Sequence, residues 1–222
     1  MTLTRKVRLV WRNPYITDGL VFHLDGIWNV KGDTHDSSST TWTDLARGIR
    51  HPIGDGNSFI ANALSIDAPT ERWLPTKDLI NNSTGFTIEA LGYVREEGQS
   101  LIQIGDNINF SPYPNWSSHN DCYVVAFRFG LGAPIGGLGT AVYSAVTYDG
   151  STGTIHIPQT DRRKSQSFEL TVPEWRNSMI HASHQCIHAI RFYNRPLSYD
   201  EIATNYSIDK SRFNLLPEVT LR

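Results

Sequence analysis

The chain has 222 residues, 39% of them hydrophobic and 19% charged, with a formal net charge of −2. That length suits one large β domain and that balance suits a soluble globular protein, while the near-neutral charge argues against bulk binding to nucleic acid. No segment approaches the roughly eighteen apolar residues of a bilayer span, and the opening MTLTRKVRLVWRN has no apolar h-region, so neither membrane insertion nor a secretion signal is expected.

From Leu3 to Trp11 apolar residues (Leu3, Val7, Leu9, Trp11) alternate with polar or basic ones (Thr4, Lys6, Arg8), the period of a half-buried strand. This is an edge strand kept from aggregation by its charges, or an arm that docks on another protein. Residues 29 to 44, NVKGDTHDSSSTTWTD, have the chemistry of a loop between Trp28 and Trp42. Asp33, Asp36 and Asp44 are oxygen ligands of the kind calcium takes, but their spacing matches no ordered calcium loop, and solvated turn residues are the expectation.

Phe86 to Tyr93 alternates cleanly and reads as a sheet strand. Ser100 to Phe110 reads as a strand, a turn at Gly105 to Asn107 and the start of another strand, and Tyr123 to Phe129 continues the series. The glycine-rich Gly130 to Gly139 lacks the Gly-Lys-Ser/Thr ending of a phosphate loop and reads as a flexible connection. Asp161 to Lys164 (DRRK) reads as a solvated turn. Cys122 and Cys186 lie far apart, and a single disulfide or two buried thiols are both open.

The most ordered signal is Ile187 to Asn205. His188, Ile190 and Phe192 alternate with Ala189, Arg191 and Tyr193 in a strand, and Asn194 to Pro196 turn the chain. Ser198, three residues before Glu201, forms a capping box that starts one or two helical turns held down by Leu197, Ile202 and Tyr206.

The closing RFYNRPLSYDEI resembles the last strand and helix of concanavalin A-like, laminin-G-like jelly rolls. Gly19 to Asp25 (GLVFHLD), with Thr41 to Leu45 behind it, resembles the opening of that family, and Ala145 to Ile157 (AVTYDGSTGTIHI) its late hairpin. The resemblance implies an all-β antiparallel sandwich jelly roll with a short C-terminal helix over residues 17–210. It leaves 1–16 as an N-terminal arm or edge strand and 211–222 as a C-terminal tail. The motif set also resembles single-domain modules encoded by tailed phages of gut bacteria, including crAss-like phages.

Retaining glycoside hydrolysis on such a fold needs two carboxylates about 5 to 5.5 Å apart, one as nucleophile and one as acid. A Glu-x-Asp-x-x-Glu signature is missing: Glu89 stands alone on its strand, and Glu96 and Glu97 fall in a glycine-bounded turn. Nor is there a Gly-x-Ser-x-Gly elbow. His181, His184 and His188, with Cys186, have zinc-ligand chemistry, but their spacing suits ordinary packing at the start of a strand. The expectation is that the chain is not an enzyme and has no catalytic residues, no resident metal and no cofactor.

Sugar binding needs less: an aromatic ring for the C–H face of the sugar and polar side chains for its hydroxyls. Ser111 to Asp121, SPYPNWSSHND, offers Tyr113 and Trp116 as platforms and Asn115, His119, Asn120 and Asp121 as bonding partners on a long loop. A weaker candidate is the Trp28 to Trp42 loop. The expected function is a lectin-like attachment or structural module of a phage virion (head fibre, decoration or tail) that binds host-surface glycan. The alternatives are a glycoside hydrolase acting on polysaccharide and a virion assembly protein with no ligand. Its partners are then other virion proteins, met through either terminus, and a cell-surface glycan, with room for a homo-oligomer. Its location is the virion, made in the host cytoplasm, and otherwise extracellular.

Overall fold

A computed structural model describes residues 13–30, 33–67, 72–74, 79, 85–95, 101–104, 108–115, 118–126, 129–133, 139–167, 178–180 and 185–215. The chain opens with β1 (Leu20–Asp25), β2 (Trp28–Val30), β3 (Asp33–Thr34), β4 (Thr41–Asp44), β5 (Ile49–Pro52), β6 (Asn57–Ile60), β7 (Ala63–Ile66) and β8 (Arg72–Leu74). It continues through β9 (Phe86–Val94), β10 (Ile102–Ile104), β11 (Ile108–Asn115), β12 (Ser118–Ala126) and β13 (Phe129–Ala133). It closes with β14 (Val142–Tyr148), β15 (Thr152–Ile157), β16 (Arg162–Ser167), β17 (Ser178–Ile180), β18 (Gln185–Tyr193) and the helix α1 (Tyr199–Arg212).

These strands build an antiparallel β-sandwich. An 8-stranded sheet runs in the order β16-β15-β14-β9-β18-β7-β6 with β1 also on β18, and a 6-stranded sheet runs β13-β12-β11-β10-β17-β8. β18 is the centre of the larger sheet. One side pairs with β9, while the other is shared between β7, at Gln185 to Ile187, and β1, at Ala189 to Tyr193. The register shifts between Ile187 and Ala189, where that second side passes from one neighbour to the other. Gly26 donates to the His188 carbonyl there, and a Cβ on Gly26 would meet the Asn62 carbonyl oxygen at 2.3 Å, so only glycine lets the β6–β7 turn approach.

Alternation along the strands sorts side chains onto two faces. The inner face carries Phe22, Leu24, Leu64, Ile66, Phe86, Ile88, Val146, Ile155, Ile190 and Phe192, which close a core with Leu101, Ile102 and Phe110 from the β10–β11 side. Each fully buried Phe or Ile contributes about 1.5–3 kcal/mol of transfer free energy. The outer face carries Leu91, Tyr143, Ala145, Ala189 and Tyr193, which pack beneath α1 against Leu197, Ile202, Tyr206 and Phe213.

The helix starts at the expected capping box, with Ser198 accepting from the Glu201 amide and the Glu201 carboxylate accepting from the Ser198 amide. It then runs for 14 residues rather than one or two turns. Its buried face is Ile202, Asn205, Tyr206 and Asp209, so two of its four anchors are polar and the apolar period understates its length. Two connections are strands instead. Arg162 to Lys164 lie on the edge strand β16, and Gly130 to Ala133 on β13, with 134–138 outside the described residues.

Candidate functional site

The expected sugar site does not lie on a long loop. Tyr113 and Asn115 are on β11, and His119, Asn120 and Asp121 on β12, two strands that pair with Tyr113 opposite Tyr123, Pro114 opposite Cys122 and Asn115 opposite Ser118. The register shifts on either side of the Tyr113–Pro114 step, where proline offers no N–H to the ladder. Trp116 lies outside the described residues, between the two strand ends. The backbone therefore brings five of the six candidates onto one hairpin, disguised in the sequence by its proline and serines.

In the second candidate loop, Trp42 is only 2% exposed and donates from Nε1 to the Asp25 carbonyl at 2.9 Å, which makes it a buried anchor and no sugar platform. Trp28 is half-buried with the Arg212 guanidinium 5.1 Å above its ring. The three aspartates considered for calcium have separate local roles. Asp33 is exposed on β3, Asp36 accepts from Ser38 in its own turn, and Asp44 accepts from the amides of His23 and Ala46 and pairs with Arg47. Of the histidines considered for zinc, His181 and His184 lie outside the described residues, and His188 Nδ1 sits 3.1 Å from the Asn62 carbonyl. Cys186 is a buried free thiol on β18 whose Sγ lies 3.0 Å from Arg95 Nη2, and Cys122 belongs to the other sheet.

What the fold does bring together is a charged network sealed beneath α1. Arg191, 1% exposed, donates from Nε to Glu89 at 2.6 Å and from Nη1 to Asp209 at 3.2 Å, with a second, shorter contact from Nη2 to Asp209. Asn205 donates to both Glu89 oxygens at 3.0 and 3.2 Å. Tyr15 donates to Asp209, and its ring lies 4.1 Å from the Arg191 guanidinium. Arg212 grips Asp25 with two donors at 2.6 and 3.1 Å. Ile16 donates its amide to Asn205, so residues just before β1 are tied to α1 as well.

Electrostatics here follow burial. Desolvation first, then the nearby carboxylates, push the phenols of Tyr15, Tyr143 and Tyr193 far above their ordinary range. Burial works against the charged form of Asp25, but His23 and Arg212 outweigh it and hold the carboxyl well below its ordinary value. The two carboxylates absent from any one strand motif thus meet across elements, Glu89 from β9 and Asp209 from α1, bridged by Arg191. With Glu89 and Asp209 both 0% exposed, this arrangement holds the helix down and offers a substrate no path.

Beyond the helix the outer face stays buried at Thr87, Thr147 and His156 and opens to solvent at the β15–β16 rim. Thr87, Thr147, Thr154 and Ser165 lie in register across β9, β14, β15 and β16. Thr87 serves the turn before α1, accepting from the Leu197 amide at 2.7 Å, and Thr147 meets His156 Nε2 at 3.1 Å. Thr154 and Ser165 are joined at 2.9 Å and Thr152 and Ser167 at 3.3 Å at the rim. The row beside them is Glu89, Ala145, His156 and Arg163. Burial, and then Arg163, lower the His156 pKa to about 4.

No family model matches the chain, and no curated protein matches it in sequence. Among solved structures it is similar to Trypanosoma rangeli sialidase in complex with sialic acid, at a TM-score of 0.57 and 14% identity, over 88% of this chain and 33% of that one. The same sialidase with the inhibitor DANA gives a TM-score of 0.58 and 15% identity over 92% of this chain and 36% of that one. The receptor binding domain of botulinum neurotoxin D gives a TM-score of 0.59 and 12% identity over 88% and 54%. The chain thus spans about a third of the sialidase chains and about half of the toxin domain, and at such identities the likeness shows the fold. It also corrects one expectation. The chain was read as no enzyme because a single strand motif was missing, but its fold is shared with part of sialidases, and that omission does not separate binders from hydrolases.

Proposed function

We propose that the chain is a carbohydrate-binding attachment module, a jelly roll over residues 17–210 carried on a tailed-phage virion and fastened there through residues 1–16 or 211–222. The observation that carries the reading is the fold held in common, over 88% of the chain, with a toxin's receptor binding domain and with a sialidase solved with sialic acid. The site is the β11–β12 hairpin, which carries Tyr113, Asn115, His119, Asn120 and Asp121, with Trp116 between them in sequence. A ring for the apolar sugar face beside amide, imidazole and carboxylate partners for the hydroxyls is what recognition requires. The virion setting rests on the resemblance of the three strand motifs to tailed-phage modules.

A glycan array of the wild type beside Trp116→Ala tests the site. Discrete hits on uncharged glycans that vanish in the variant are expected, and such hits surviving it unchanged overturn the assignment. An array without hits favours an assembly protein with no ligand. Deleting residues 1–12, which stops short of Tyr15 and Ile16, is expected to leave a folded domain that no longer joins its particle. The sialidases among similar structures favour a second reading, a glycan-cleaving enzyme. Release of reducing sugar or free sialic acid by the purified chain would establish it.

A further inference from the structure

We infer a second binding surface, on the opposite sheet from the hairpin, for an oxyanion borne by a sugar chain, a carboxylate or a sulfate, centred on Arg163. Three observations combine. First, β16 carries Arg162, Arg163 and Lys164 and no acid, and all six of its residues are exposed. Arg162 and Lys164 stand opposite Ile157 and Ile155, whose side chains enter the core, so these two cations belong to the inner side of the rim, where Lys164 Nζ donates to the Gly130 carbonyl at 3.1 Å. Arg163 stands opposite His156 and faces outward.

Second, Arg163 is held in place without being neutralised. Its guanidinium lies 5.1 Å from the centroid of the Tyr199 ring, and among the described residues no carboxylate pairs with it. Tyr199 is itself fixed, at the first residue of α1 and by its hydroxyl on Asp161, so that Asp161, two residues before Arg163, is engaged by the phenol. Charges that only discourage edge pairing do not need such support. A guanidinium stacked on an aromatic ring keeps its planar fork of donors available for a bidentate oxyanion.

Third, the neighbouring row supplies hydroxyls. Thr154 and Ser165 lie one step along the same face, two residues from His156 and Arg163, which is about 6.6–6.8 Å along a strand. Thr152 and Ser167 follow at the next step. A cation with hydroxyl pairs at regular spacing beyond it matches a polyhydroxylated chain carrying an anionic group. Of the other acids, Asp200 is exposed on α1 and Asp149 is engaged by the amides of Ser151 and Thr152, while Glu169, six residues after Arg163, lies outside the described residues.

The test is binding of the full chain to immobilised polygalacturonate, heparin and dextran at low and moderate salt. Binding to one or both acidic polymers, absent on neutral dextran, is expected, and their comparison separates carboxylate from sulfate. Arg163→Gln should weaken that binding by about tenfold or more, the scale of one charge-assisted contact. Arg162→Gln removes the same charge from the other face and should change it by less than about threefold. Equal losses in the two variants, or no binding to either acidic polymer, overturn the proposal. Trp116→Ala should leave acidic-polymer binding intact even where it abolishes array hits. If it abolishes both, the hairpin accounts for all recognition and the Arg163 surface is wrong.

Discussion

The outer face of the 8-stranded sheet carries charged and polar groups in both halves, but α1 seals one half while the other reaches solvent at the β15–β16 rim. Under the helix every charge is matched, with Arg191 between Glu89 and Asp209 and Arg212 on Asp25. At the β15–β16 rim the hydroxyls pair with one another, and among the described residues Arg163 rests on a ring instead of a carboxylate. The difference teaches how to read charge in this molecule. A buried charge without partners costs several kcal/mol, so complete pairing marks a structural role. An exposed charge left unpaired yet held in place marks a surface that can receive a ligand.

The comparison breaks most visibly at Arg191. Arg191→Met leaves Glu89 and Asp209 buried without their cation and should cost about 3–5 kcal/mol, read as a lower urea midpoint; a change under about 1 kcal/mol would mean the network does not hold α1.

Acid should act next, through the histidines. Burial first lowers the pKa of His35 and of His156 from 6.5 to about 4. Between those values the unfolded chain binds protons that the folded chain refuses, so stability is full above pH 6.5 and falls as pH drops toward 4. For His156, 6% exposed, the loss is on the order of 2–3 kcal/mol at about 1.4 kcal/mol per pKa unit. His156→Gln should flatten that part of the profile in thermal melts.

Smaller effects sharpen the contrast. Ser198→Ala removes the N-cap of α1 and should cost about 1 kcal/mol in chemical unfolding. Arg163→Gln, in the open half, should leave stability within about 0.5 kcal/mol of wild type while it alters binding. A large destabilisation there would make Arg163 another structural charge.

Much of the sandwich was legible in the sequence because its inner face obeys period two, from Phe86, Ile88 and Ala90 to Ile190 and Phe192. The capping box was legible too, since Ser198 and Glu201 act locally. The length of α1 was hidden because Asn205 is buried against Glu89, 116 residues away, and Asp209 against Arg191, 18 residues away, and Tyr15, 194 residues away. No local pattern encodes such a match. The hairpin of Tyr113 to Asp121 was read as a loop because Pro114 and the serines mask its pairing. Arg163 was read as a turn residue, and only the register with His156 reveals which face it takes.

The most direct test of the account is a glycan array on the purified chain, with Trp116→Ala and Arg163→Gln beside the wild type. Loss of the uncharged-glycan hits in Trp116→Ala, with acidic-glycan hits retained there and weakened selectively in Arg163→Gln, is the predicted result. Wild-type hits that neither variant changes would contradict it.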